Sequence, residues 1–158
     1  VSWNKTCVSK IKFYFISIMD DTKIWKAPIG ARYLSDFMTE IPENCLFNKR
    51  ITGCGATELA IRNSIDTIIA MPYVSLVKNK SIYRRDSTYV LGVYQGITED
   101  DIKRYALTEQ KLKIATTYDS IPKVIKVLED IGRNPFKDAF LLVDEWHCLF
   151  NDYLYRRC

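Results

Sequence analysis

After residue 40 the chain alternates short, continuously apolar runs with stretches of helical periodicity, and no other feature restricts its fold more. The runs are Asn44 to Lys49 (NCLFNK), Thr67 to Met71 (TIIAM), Tyr89 to Tyr94 (YVLGVY), Leu112 to Thr116 (LKIAT) and Ala139 to Val143 (AFLLV). A strand wetted on one face alternates apolar with polar residues. A strand covered on both faces loses that alternation, as happens in a parallel sheet flanked by helices. The intervening segments carry helix signals. Thr98-Glu99-Asp100-Asp101 has the form of a capping box, with Ile102, Tyr105 and Ala106 following at helical spacing. Asp119 or Ser120 can cap a helix with Pro122 in its first turn. There Ile121, Val124, Ile125, Leu128 and Ile131 form one stripe, which Gly132 closes. Strand–helix alternation over this length predicts an α/β domain, a mostly parallel sheet sandwiched by helices with right-handed crossovers.

The first 43 residues follow the pattern less clearly. Ile11 to Ile18 (IKFYFISI) reads as a strand and Ala31 to Thr39 as a short helix, so 1–43 is taken as an N-terminal extension and 44–158 as the α/β domain. With 158 residues the chain can bury a real core. Its aromatic and charged content, 13% and 27%, excludes a disordered or low-complexity chain. A net charge of +4 allows a polyanionic partner without demanding one. No run approaches the roughly 18 apolar residues of a membrane span, and the first residues lack the pattern of a signal peptide. The five cysteines are irregularly spaced and include no Cys-x-x-Cys pair, and His147 is the only histidine. Thiols in a reducing cytoplasm are expected rather than a disulfide framework or a zinc site. The missing initiator Met, and an end fifteen residues past an apolar run, point to a fragment of a longer protein.

Two places carry candidate chemistry. The first follows the run at 44–49: Lys49-Arg50-Ile51-Thr52-Gly53-Cys54-Gly55-Ala56-Thr57 leads into Glu58-Leu59-Ala60. A strand, a glycine-containing turn and a helix start can cradle phosphate, because backbone N–H groups converge on the anion and glycine lets it approach. Thr57 then stands where a hydroxyl can ligate Mg²⁺. The bland reading is a plain tight turn. The second place is Asp144-Glu145-Trp146-His147, at the carboxyl end of a buried strand, the rim where open α/β sheets bind ligands. One acid there can hold a metal and the next can orient or deprotonate a water. The bland reading is a capped turn.

Together the two places resemble superfamily 2 helicases. Thr52 to Thr57 resembles their motif I (Walker A), and Asp144 to His147 their motif II (Walker B, DExH). Met71-Pro72-Tyr73-Val74-Ser75-Leu76-Val77-Lys78-Asn79-Lys80 is similar to motif Ia, and Ile114 to Ile121 to motif Ib. The resemblance covers residues 40 to 150 and implies the first RecA-like domain of such an enzyme. It implies Mg²⁺ and ATP as ligands, with the phosphates on loop 52–58 and the metal held by Thr57 and Asp144. Glu145 and His147 are then the catalytic pair. DNA or RNA is the implied partner, together with a second RecA-like domain that this stretch does not contain. The motif composition is closest to phage and mobile-element helicases, which implies the cytoplasm of a bacterial or phage-infected cell.

The departures are equally specific. The family's Walker A lysine falls at Ala56, whose methyl neutralises no phosphate charge. Lys49 or Arg50, just upstream, can supply the missing cation, as displaced basic residues do in P-loops of some phage packaging ATPases. The alternative is an inactive RecA-like domain kept as a nucleic-acid or protein docking module. A packaging-motor domain is a third reading. No glutamine occurs before residue 56, so no Q-motif reads the base. For nucleic acid the expected surface is Lys78, Lys80, Arg84 and Arg85 around Tyr83, with Ser75, Thr116 and Thr117 as neutral phosphate contacts.

Overall fold

The computed structural model describes residues 2–7, 22–49, 51–82 and 88–149. The expected strand at Ile11 to Ile18 lies outside them, as do Arg50, Tyr83, Arg84 and Arg85. Residues divide into two compact units, Val1–Arg62 and Asn63–Cys158. The α/β expectation holds in the second unit.

The first unit is built on a three-stranded antiparallel sheet of β1 (Ser2–Cys7), β2 (Thr22–Lys26) and β3 (Cys45–Asn48), in the order β2-β1-β3. The run at 44–49 therefore joins no parallel sheet. Its burial alternates residue by residue, with Cys45 and Phe47 half-buried and Leu46 and Asn48 exposed, the signature of a strand covered on one face only. Phe47 meets Trp25 edge-on, with ring centroids 6.3 Å apart. The helix expected over Ala31 to Thr39 shrinks to a 3-10 turn at Leu34–Asp36. Its Asp36 carboxylate accepts from the backbone N–H of Arg32 (2.8 Å) and of Tyr33 (2.9 Å), and such local bonds favour a turn over a helix. These bonds also hold the Asp36 carboxyl below its ordinary range. A short helix, α1 (Ala56–Ile61), closes the unit.

The second unit is a four-stranded, wholly parallel sheet. Its strands β4 (Asp66–Met71), β5 (Leu91–Val93), β6 (Lys113–Thr117) and β7 (Ala139–Val143) lie in the order β5-β6-β4-β7. Helix α2 (Val74–Ile82) leads from β4 to β5, α3 (Glu99–Thr108) from β5 to β6, and α4 (Ile121–Asp130) with α5 (Pro135–Asp138) from β6 to β7. The first crossover runs along the sheet in one direction and the other two in reverse. Right-handed crossovers therefore set α2 on one face and α3 and α4 on the other. Packing bears this out: Leu91, Ile114 and Ile68 lie in register and join Ile102 and Tyr105 of α3 and Val124, Val127 and Leu128 of α4 in one core. On the opposite face Gly92 lies beside α2, where an added Cβ would come within 2.9 Å of Ser81. Glycine is thus required there by the close approach of the helix.

The amino edge of the sheet is closed by polar groups. The Asp66 carboxylate accepts from the N–H of Leu112 (2.9 Å) and from the Arg133 guanidinium (2.8 Å), and Arg133 also donates to the Ala106 carbonyl at 3.1 Å. Beside it the buried Lys113 ammonium donates to the Asn63 carbonyl (2.9 Å), Asn63 Oδ1 (2.5 Å), the Ile65 carbonyl (2.6 Å) and Thr67 Oγ1 (3.0 Å). Burial pulls this lysine down to about 8, against the pull of the Asp66 carboxylate. Its folded value lies below the unfolded one, so folding releases a proton above about pH 8. The stability of this unit is expected to rise between about pH 8 and 10.5, the ordinary lysine value, when followed by denaturant titration. Lys113→Met, which strands the acceptors, is expected to cost about 3 kcal/mol and to flatten that pH profile.

Candidate functional site

The carboxyl edge of the parallel sheet gathers three of the expected segments. Helix α2 starts after β4, the 3-10 turn Tyr118–Ser120 starts at the end of β6, and Asp144 follows β7. Strands β4 and β7 are hydrogen-bonded neighbours, and the ladder extends one residue further, with the Asp144 N–H donating to the Ala70 carbonyl at 2.9 Å. The run Ala139 to Val143 is not the doubly covered strand expected: β7 lies at the edge of the sheet, its residues half-buried and Leu141 exposed, because only β4 flanks it. Asp144 and Glu145 thus leave a half-buried edge strand at the rim where α/β sheets bind ligands.

The turn they make is unusual. Glu145 has φ +55°, in the left-handed region that costs a side-chain-bearing residue roughly 1 kcal/mol. Its N–H donates to Asp144 Oδ1 at 3.1 Å, and its carbonyl accepts from the Cys148 N–H at 2.8 Å. Both acids are half-buried. His147 Nδ1 stands 3.6 Å from Glu145 Oε2, so the two expected catalytic side chains face each other. The turn can present one carboxylate to a cation and another to a water, with an imidazole alongside. Among the described residues no three His, Cys, Asp or Glu side chains cluster as a ready-made metal cage. Mg²⁺ needs none, since it binds through one or two carboxylates plus substrate phosphates and water. The Asp144–Glu145 pair fits that requirement.

The cationic surface is only partly assembled here. Ser75 and Lys78 are exposed on α2, and Lys80 is half-buried. Lys78 Nζ lies 5.1 Å from the centre of the Tyr94 ring, which fixes the ammonium at the end of β5. Thr116 is fully buried and donates to the Thr117 carbonyl (3.2 Å), and Thr117, nearly buried, donates to Ser120 Oγ (3.0 Å). These two hydroxyls tie down the turn after β6, so of the expected phosphate contacts among the described residues only Ser75, Lys78 and Lys80 stand on α2 away from that turn. Thr116 and Thr117 end β6, which is buried along its whole length, and so they sit inside the sheet.

The glycine loop belongs to the first unit. After β3, the Lys49 carbonyl accepts from the Ile51 N–H at 2.6 Å in a tight turn. Thr52 and Gly53 are exposed, whereas Cys54 is buried and its carbonyl accepts from the Leu34 N–H at 2.9 Å. Gly53 and Gly55 have φ of +72° and +84°, so the chain can make this return only with glycine-like freedom. Gly55 caps α1, whose first turn buries Ala56 and Thr57. The exposed Tyr33 ring lies over the loop, 3.7 Å from where a Gly55 side chain would start. Sequence reasoning singled out neither Tyr33, Tyr94 nor Tyr118. The one signal for the last two was an aromatic residue placed directly after a strand. Cys45, Cys54 and Cys148 are thiols, and among the described residues no helix is long and apolar enough to cross a membrane. No protein-family model, curated protein or solved structure matches the chain.

Proposed function

We propose that this chain is a nucleic-acid-dependent ATPase module, similar to the first RecA-like domain of a superfamily 2 helicase or translocase, with a phosphate loop whose cation is displaced. The observation that carries the reading is the acidic turn: Asp144 and Glu145 sit at the carboxyl end of a parallel strand, with Glu145 in a left-handed conformation beside His147. Strained backbone at a ligand-binding rim is where catalytic groups are found. The reading assigns phosphate contacts to Thr52, Gly53, Cys54, Gly55 and Ala56, and phosphate charge to Lys49 or Arg50. In the second unit Asp144 takes the Mg²⁺, which would neutralise charge on the transferred phosphoryl group when bound. Glu145 orients the attacking water, and His147, 3.6 Å from the Glu145 carboxylate, couples the nucleotide to the second RecA-like domain. Structural support comes from the second unit, and the loop's left-handed glycines add their own.

One observation favours a second reading, a docking module without hydrolysis: Ala56 places a buried methyl at the start of α1, where the family has a cation. Phosphate release from ATP, measured with and without single-stranded DNA or RNA, separates the two. The ATPase reading predicts turnover that strands stimulate. Strand binding with no turnover and no ATP binding supports the docking module.

Strand contact makes its own prediction. Reversing the charge of Lys78, Lys80, Arg84 and Arg85 together is expected to weaken single-strand binding. It should also lower the slope of log affinity against log salt by up to about 3, since each neutralised phosphate contributes about 0.7. Anisotropy titrations over several salt concentrations give both quantities. An unchanged affinity and slope would place the contact surface elsewhere.

A further inference from the structure

Tyr118 joins two strands that are not neighbours. It follows β6 directly, and β4 separates β6 from β7. Its phenolic oxygen nevertheless lies 2.5 Å from the Asp144 carbonyl oxygen and 3.0 Å from that of Glu145. A phenol has one hydrogen to give, directed at the nearer oxygen while the second carbonyl shares its field. Two successive carbonyls converge on one donor only when the residue between them has helical-type dihedrals, since in extended backbone they point apart. Glu145 has such dihedrals in their left-handed form, φ +55°, and the contact holds it out of extended backbone. The Asp144 carboxylate holds the Glu145 N–H and the Cys148 N–H reaches the Glu145 carbonyl at 2.8 Å, whereas the Tyr118 hydroxyl lies within reach of both carbonyls together.

We propose that Tyr118 is the positioning residue of the acidic turn: its hydroxyl clamps the Asp144 and Glu145 carbonyls, holds Glu145 in its left-handed conformation and so fixes where the Glu145 side chain leaves the sheet. The clamp also makes that position depend on the end of β6, where the turn into α4 begins. The catalytic half of this proposal rests on the reading of Glu145 as the group that orients water. The structural half does not.

Tyr118→Phe removes the donor and keeps the ring. Hydrogen exchange of the chain should then show at least a tenfold faster rate at the amides of Glu145 to Cys148, with β4 and β6 protected as before. ATP turnover should fall at least tenfold in kcat with KM unchanged, a split that general loosening of the fold does not produce. Unchanged exchange at the turn overturns the clamp whether or not ATP is hydrolysed. Faster exchange with an unchanged kcat in an active parent overturns the positioning of Glu145. Faster exchange in a parent that hydrolyses no ATP supports the clamp and removes the ATPase reading itself.

Discussion

Glu145→Gln is expected to cut ATP turnover by at least about 100-fold, the lower range for losing a positioned general base, while Mg²⁺–ATP affinity stays within about twofold. The substitution keeps the size and shape of the side chain and removes only its charge and basicity. It leaves the turn intact, because the bonds that form the turn use backbone atoms: Tyr118 reaches the two carbonyls, and Asp144 Oδ1 takes the Glu145 N–H. A loss of turnover therefore reports chemistry and not a collapsed loop, and an unchanged melting temperature checks this. Hydrolysis that persists at the parental rate removes Glu145 from the mechanism.

The second large effect concerns charge at the phosphates. A triphosphate carries about four negative charges, and one Mg²⁺ with backbone dipoles leaves much of that uncompensated. Ala56 contributes none. Lys49 stands directly after β3, at the entry to the glycine loop, and Arg50 follows it in sequence. Long cationic side chains can fold back over an anion from that distance. Lys49→Ala or Arg50→Ala is expected to weaken ATP binding at least tenfold, about 1.4 kcal/mol. Ala56→Lys should restore the loss if the phosphates lie where the resemblance places them. Because the Ala56 methyl is buried, the new stem must run along the loop before its ammonium emerges. Parental ATP affinity in both alanine variants would end the displaced-cation account.

The second unit was legible in the sequence because its signals are local. The runs Thr67 to Met71 and Leu112 to Thr116 are buried along nearly their whole length, as continuous apolar strands must be. The capping box closes as read, with the Asp101 N–H donating to Thr98 Oγ1 at 3.2 Å and the Thr98 N–H to Asp101 Oδ2 at 3.0 Å. In α4 the stripe is slightly rotated: Val124, Val127 and Leu128 are the buried residues, while Ile121, Ile125 and Ile131 pack at its margins. The first unit was poorly legible because its order comes from distant pairing. SWNKTC and TKIWK carry mixed polar patterns, and they become strands by pairing with each other across many residues. The run at 44–49 resembled a doubly covered strand because Cys45, Leu46 and Phe47 are all apolar, yet Leu46 faces solvent.

The site divides in the same way. Asp144, Glu145 and His147 could be read directly, since a strand end and acid spacing are sequence properties. The bridge from Tyr118 could not, because it depends on which strands flank β4. The burial of Thr116 and the caging of Lys113 likewise follow from strand order and not from local pattern.

Calorimetric titration of the chain with ATP, with and without Mg²⁺, tests the central claim most directly. The account predicts saturable binding that needs Mg²⁺, is retained in Glu145→Gln and is weakened at least tenfold in Lys49→Ala. Absence of any ATP binding in the presence of Mg²⁺, in a chain that still binds single strands, would contradict it.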